Sequence, residues 1–138
     1  MEQTKLYVGC GLTGAPQHFT EEVESLKRSL ANDFEVFDFI GLEKGTSADV
    51  YNWDIGHCVA DCDVLVGICD YPSLGLGWEM SKAVGMGTPT LAVAHTTSRV
   101  TRLVLGAAEV EPVMSFERYE NMLADIPRLI MAKVAEIG

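Results

Sequence analysis

The run Val64-Leu-Val-Gly-Ile68 has no polar side chain at any position, and Thr90-Leu-Ala-Val-Ala94 is nearly as apolar. A strand wetted on one face alternates apolar and polar residues. An uninterrupted apolar run is buried on both faces, as in a parallel sheet covered by helices above and below. Lys5-Leu-Tyr-Val-Gly9 and Phe34-Glu-Val-Phe37 read as two further strands. Between them, Phe19, Val23, Leu26 and Leu30 recur at helical spacing, and Ile55, Cys58, Val59 and Cys62 form a second apolar stripe that Asp49 can cap. Gly41 to Ser47 is a polar loop, and a weaker helix is expected over 99–107. Val110 to Met114 reads as a fifth strand, confined to an edge by Pro112. Ser115 then caps a C-terminal helical region broken or kinked near Pro127. Strands alternating with helices predict one α/β domain over residues 1–138. It is a three-layer, Rossmann-like (flavodoxin-like) fold, its five-stranded parallel sheet carrying helices on both faces.

Such sheets bind ligands beyond the carboxyl ends of their strands, where strand order reverses. If the first and third strands are neighbours, the loops Cys10–Pro16 and Cys69–Trp78 meet there. The second loop belongs to the most informative stretch of the chain, Asp70-Tyr-Pro-Ser-Leu-Gly-Leu-Gly-Trp-Glu79. It reads as a Pro/Gly-rich turn leading into a short helix, Met80–Met86, with Glu79 in the first helical turn. A helix start offers unpaired N–H groups and partial positive charge to an anion. Ser73, Gly75 and Gly77 let the backbone approach a ligand closely. An ordinary glycine-rich turn, with a glutamate favoured by the helix dipole, explains the same residues without a ligand.

The composition excludes several classes. The formal net charge of −10 disfavours nucleic-acid polymers and anionic membrane surfaces, both of which need Lys and Arg. No stretch approaches the ~18 apolar residues of a membrane span. The start of the chain lacks a signal-peptide pattern, so a cytoplasmic location is expected. The four cysteines, Cys10, Cys58, Cys62 and Cys69, are then free thiols. Cys58 and Cys62, with His57 adjacent, fit no common zinc spacing, and no metal is expected. Gly9-Cys-Gly-Leu-Thr-Gly14 brings glycines together, but only Asp38 offers an acidic residue near the end of the second strand, which makes a weak dinucleotide signal. A phosphoacceptor receiver needs an acidic pair after the first strand, where this chain has Gly9-Cys-Gly11.

Three side chains remain as candidates for chemistry. Asp54 interrupts the row Val50, Asp54, Cys58, which otherwise faces the core. It is either a helix-boundary residue bonded to nearby backbone or a functional carboxylate. Paired with Glu79 at one crevice, it suits chemistry at a glycosidic carbon, one carboxylate attacking and the other handling protons. Tyr7 falls near the end of the first strand and could orient a carboxylate; a buried tyrosine bonded to backbone is the plain alternative. His95, followed by Thr-Thr-Ser, reads as a solvated turn.

Pro72-Ser-Leu-Gly-Leu-Gly-Trp-Glu79, Ala83 and Gly87-Thr-Pro89 together resemble the signature of the nucleoside 2-deoxyribosyltransferase superfamily. The likeness is closest to its 2'-deoxynucleoside 5'-phosphate N-hydrolase branch. It extends to Leu6-Tyr7 and the glycine-rich loop after it, to Asp54 ahead of Asp63-Val-Leu-Val66, and to Gly106-Ala-Ala108. The resemblance implies hydrolysis of the N-glycosidic bond of 2'-deoxynucleoside 5'-monophosphates or deoxynucleosides. Glu79 would be the nucleophile, Asp54 the acid/base group and Tyr7 the orienting group near C2'. Ser73, Gly75, Gly77, Gly9 and Gly11 would bind substrate, with no cofactor and with a second copy of the chain as partner. The alternatives are base exchange by a deoxyribosyltransferase and a nucleotide-binding domain without turnover. On the 5' group the residues disagree: Ser73 and the helix start favour a phosphate, whereas Thr13, Glu111 and the net charge do not.

Overall fold

The computed structural model describes residues 3–41 and 43–137. Residues 1, 2, 42 and 138 lie outside it, and with them the two ends of the expected domain and one position of the 41–47 loop. The elements run β1 (Lys5–Cys10), α1 (Gln17–Leu30), β2 (Glu35–Phe37), α2 (Ser47–Trp53), a π-helical stretch Asp54–Val59, β3 (Val64–Ile68), α3 (Leu74–Gly85), β4 (Thr90–His95), α4 (Arg102–Val110), β5 (Met114–Tyr119) and α5 (Met122–Ile137). The strands form one five-stranded sheet in the order β2-β1-β3-β4-β5, every pairing parallel. Order therefore reverses between β1 and β3, which places the crevice there.

Strand alternation sorts the side chains between the layers. Leu6 and Val8 of β1, with Val64, Val66 and Ile68 of β3, pack against Phe19, Val23, Leu26 and Leu30 of α1 and Ile126 and Ile130 of α5. Tyr7 and Leu65 point the other way, among Ile55, Cys58 and Val59 of the π stretch and Leu76, Met80 and Ala83 of α3. The same parity turns Gly9 and Gly67, which are register partners, toward α3. A Cβ on Gly67 would stand 2.6 Å from Met80 Sδ, and one on Gly9 would stand 3.0 Å from Leu76 Cδ1. The helix is seated on bare backbone at both places.

Several boundaries differ from expectation. Helix α3 begins at Leu74, not Met80, because the Ser73 hydroxyl accepts from Leu76 N at 3.1 Å and caps it. Gly75 and Gly77 are therefore helical, and Glu79 lies in the second turn, not the first. The far end behaves as expected: Gly87 takes φ +78°, and Thr88 N and Gly87 N donate to Ala83 O and Val84 O, the bonding of a Schellman stop. Thr46, not Asp49, is the N-cap of α2; Asp49 is its reciprocal capping-box partner.

The C-terminal third is shifted along the chain. Helix α4 is capped by Thr101 and runs to Val110, which the sequence assigns to a strand. The edge strand β5 begins at Met114, and Pro112 sits in the turn before it. Ser115 lies in β5 and accepts from Lys133 Nζ at 2.9 Å instead of capping a helix. Pro127 is inside an unbroken α5. Pro127 is its sixth residue, so the one bond lost is that to Leu123 O in the second turn, and the helix continues past it; ahead of it the Asn121 side chain and the Asp125 carboxylate cap the helix start.

Candidate active site

At the carboxyl end of β1, between α1, α2 and α3, lies a cavity of about 640 Å³, a volume suited to a small-molecule ligand. Tyr7 and Glu79 meet on its floor, and the tyrosine hydroxyl donates to Glu79 Oε2 at 2.5 Å. The contact follows from parity and helical phase. Tyr7 faces the α3 layer, and Glu79 follows Leu76 by three residues on the flank of α3 that Leu76 and Met80 bury. Gly9 leaves the carboxyl room, since a Cβ there would stand 3.3 Å from Glu79 Oε1.

Burial pushes the Glu79 carboxyl up to about 7; the Tyr7 hydrogen bond works against this and the charge of Asp54 adds to it. Burial and the neighbouring Glu79 drive the Tyr7 phenol far above its ordinary range, so it remains a donor. Asp54 lines the same cavity. Its Oδ1 accepts from Ile40 N at 3.0 Å, and partial burial, only partly offset by that bond, raises its pKa. One oxygen of Asp54 thus holds backbone while the residue also faces the cavity.

The π stretch begins at Asp54, and such wide turns often mark functional positions in helices. It also alters the expected core-facing row. Cys58 is fully buried, but Val50 is 36% exposed and lines the cavity. Trp53 Nε1 and Cys58 Sγ both donate to Asp38 O, at 2.8 and 3.3 Å, tying the segment after β2 to this helix.

Ser73, Gly75 and Gly9 line the cavity, as does Thr13. Gly11 and Gly77 do not. A Cβ on Gly11 would collide with Tyr71 O at 2.3 Å, so this glycine lets two loops pack together. Gly77 borders a second cavity of about 810 Å³ beyond α3, beside Arg99 and Leu103. Glu111 is exposed after α4 and lines neither cavity. His95 also lies outside both; its N–H donates to Asp70 Oδ2. His57 pairs with Asp61 at 2.8 Å, Cys58 and Cys62 are core residues, and burial lifts both thiols to about 12.

Sequence reasoning missed Thr20, Glu24 and Lys27. They recur at i, i+4 and i+7 along α1 and all line the cavity. The signal is a polar stripe beside the apolar one, easily taken for the solvated face of the helix.

No protein-family model matches the chain. Over 58 residues it is 40% identical to a Thermofilum pendens protein provisionally named 2'-deoxynucleoside 5'-phosphate N-hydrolase 1; the match covers 41% of this chain and 40% of the relative's length. The fold matches the CMP N-glycosidase of Clostridium botulinum with a TM-score of 0.71 at 16% identity, over 91% of this chain and 98% of the other. It matches a 2-deoxyribosyltransferase from Bacillus psychrosaccharolyticus with a TM-score of 0.60 at 19% identity, over 91% and 96%. A Leishmania mexicana 2-desoxiribosyltransferase aligns with a TM-score of 0.58 at 16% identity, over 89% and 87%. The fold is thus that of the deoxyribosyltransferase-like N-glycosidic enzymes. The chain spans less than half the length of the curated relative it matches.

Proposed function

We propose that the protein is an N-glycosidase acting on 2'-deoxynucleoside 5'-monophosphates or deoxynucleosides through a covalent Glu79 intermediate. The observation that carries this reading is the Tyr7–Glu79 hydrogen bond on the floor of a cavity that Asp54 also lines. Ionised Glu79 attacks C1' as the bond to the base breaks, and protonated Asp54 gives the departing base its proton. Water then attacks C1' of the glycosyl ester, restoring the Glu79 carboxylate and returning a proton to Asp54. Tyr7 holds the nucleophile in line and crowds C2', so deoxyribose is preferred to ribose. No cofactor is needed for these steps.

The 5' group lies beside Ser73, Thr13 and the start of α3. Glu111, the strongest argument against a phosphate, lines neither of the two cavities described, and net charge is screened beyond roughly 8 Å at ordinary salt. Monophosphates are therefore the favoured substrates. A second copy of the chain fits the exposed apolar residues Leu74, Trp78, Leu103 and Val110 along α3 and α4. Among the described residues, no helix is long and apolar enough to cross a membrane.

The test is incubation with paired deoxynucleosides, deoxynucleotides and ribonucleotides, reading free base. Release of base from deoxynucleotides ahead of the other two is expected. A second free base in the mixture distinguishes hydrolysis from exchange, since a transferase would form a new nucleoside. Ligand binding with no base released would leave the binding-domain alternative.

A further inference from the structure

Lys27 is the one Lys or Arg among the residues lining the cavity, and it is 8% exposed. Its ammonium donates to Asp38 Oδ1 at 3.0 Å and to Glu24 Oε1 at 3.4 Å, and lies 5.3 Å from the centre of the Phe39 ring. Burial opposes the charge, but Asp38 and Glu24 outweigh burial and hold the pKa above its ordinary value, so the cation persists. An ammonium has three hydrogens, and two have these acceptors. A lone cation in a pocket would ordinarily suit a phosphate. Here two carboxylates flank it, so the corner carries a formal net charge of −1 and repels a dianion. It suits a neutral group presenting a donor beside an acceptor, as the edge of a nucleobase does.

Position agrees with charge. The base and the 5' group leave the sugar from C1' and C4', on opposite sides of the ring oxygen. With C1' at Glu79 and the 5' group toward Ser73, the base extends toward the wall built by α1 and the segment after β2. Thr20, Glu24, Lys27 and Phe39 line that wall. We infer that Glu24 and Lys27 read the edge of the base, Glu24 accepting from an exocyclic amine and Lys27 donating to the adjacent ring nitrogen. The surplus negative charge favours the electropositive amino edge over a carbonyl. The substrate class is therefore the amino-bearing bases, cytosine and adenine, ahead of their oxo counterparts uracil and hypoxanthine.

This inference rests on the proposed function for the placement of the sugar, but its test does not need turnover. The binding of dCMP, dUMP, dAMP and dIMP to the protein is measured by calorimetry, alongside release of free base. Wild type should bind each amino compound at least about tenfold more tightly than its oxo partner, because an unpaired carbonyl facing Glu24 is costly. Glu24→Gln, at an accessible side chain whose amide can donate to a carbonyl as well as accept from an amine, should bring that ratio close to one by weakening dCMP and tightening dUMP. Lys27→Gln should weaken both members of each pair and narrow the ratio. Binding that prefers amino bases with no base released would sink the glycosidase reading and keep this one. Equal binding in wild type, no binding at all, or an amino preference unchanged in Glu24→Gln would overturn it.

Discussion

The floor and the outer wall of the cavity are built by opposite means. Tyr7, Gly9 and Glu79 sit on β1 and α3, and both elements pack into the core: Leu6, Val8 and Ala83 are at most 1% exposed. The wall from Asp38 to Trp53 follows a strand of three residues and includes a helix with no buried side chain. It is held by individual polar contacts: the Lys27–Asp38 ion pair, Trp53 and Cys58 to Asp38 O, Ile40 N to Asp54, and the Thr46–Asp49 capping box. Where Tyr7 and Glu79 are held at a fixed distance, the chain uses a parallel sheet and a helix packed on it. Where a ligand has to enter, it uses polar latches that open at small cost.

The largest effect should come from breaking the floor. Glu79→Gln should lower turnover by at least about a thousandfold, since it removes the nucleophile while keeping an acceptor for Tyr7. Loss within tenfold in steady-state assays would remove Glu79 from that role. The same variant should be more stable at alkaline pH. A folded-state pKa of about 7 against an ordinary 4.5 means that ionisation disfavours the fold. The penalty is absent below the lower value, grows between the two, and is full above the upper one. Removing it should add roughly 2–3 kcal/mol at pH 8 and nothing near pH 4, readable by denaturant titration.

Tyr7→Phe tests the floor more gently, with an expected loss of about ten- to a hundredfold in kcat/KM. The preference for dCMP over CMP should also narrow, and an unchanged deoxyribose preference would take that role from Tyr7. Asp54→Asn tests where floor and wall join. The proposed steps need one proton shared between Asp54 and Glu79, so wild-type kcat/KM should form a bell that falls above about pH 7. Without Asp54 the residual activity should instead rise through neutrality as Glu79 ionises. A bell retained in Asp54→Asn would place the proton elsewhere.

On the wall itself, Thr46→Ala should cost about 1 kcal/mol of local stability by removing the cap of α2. It should raise KM a few-fold and leave kcat within about twofold. Hydrogen exchange should find the amides of α2 less protected than those of β1 and β3, and equal protection would erase the contrast between the two regions.

The floor was also the legible part of the sequence. Strands buried on both faces give unbroken apolar runs, and the order of β1 and β3 brings Tyr7 and the 70–79 segment together. Misreadings arose where one residue type serves two ends. Gly75 and Gly77 suggest a turn, yet one hydroxyl on Ser73 is enough to start a helix across them. Pro112 marks a break, but the apolar Val110 before it belongs to a helix and the strand lies beyond it. The α1 side of the cavity was least legible, because polar residues that face a cavity resemble those that face solvent. Thr20, Glu24 and Lys27 are distinguished only by what α1 packs beside.

The paired glycines at 9 and 67 act as a gauge for the whole machine. Neither position carries a side chain, yet together they set how closely α3 sits on the sheet. A single carbon at residue 67 would stand 2.6 Å from Met80 Sδ, midway along that helix, and act like a shim that the methionine side chain must yield to. Any displacement that the flexible Met80 side chain does not absorb would pass along α3 to Glu79, the residue before Met80. The seating of the Glu79 carboxyl against Tyr7 is thus encoded partly as empty space, at a site that a search confined to reactive side chains would pass over.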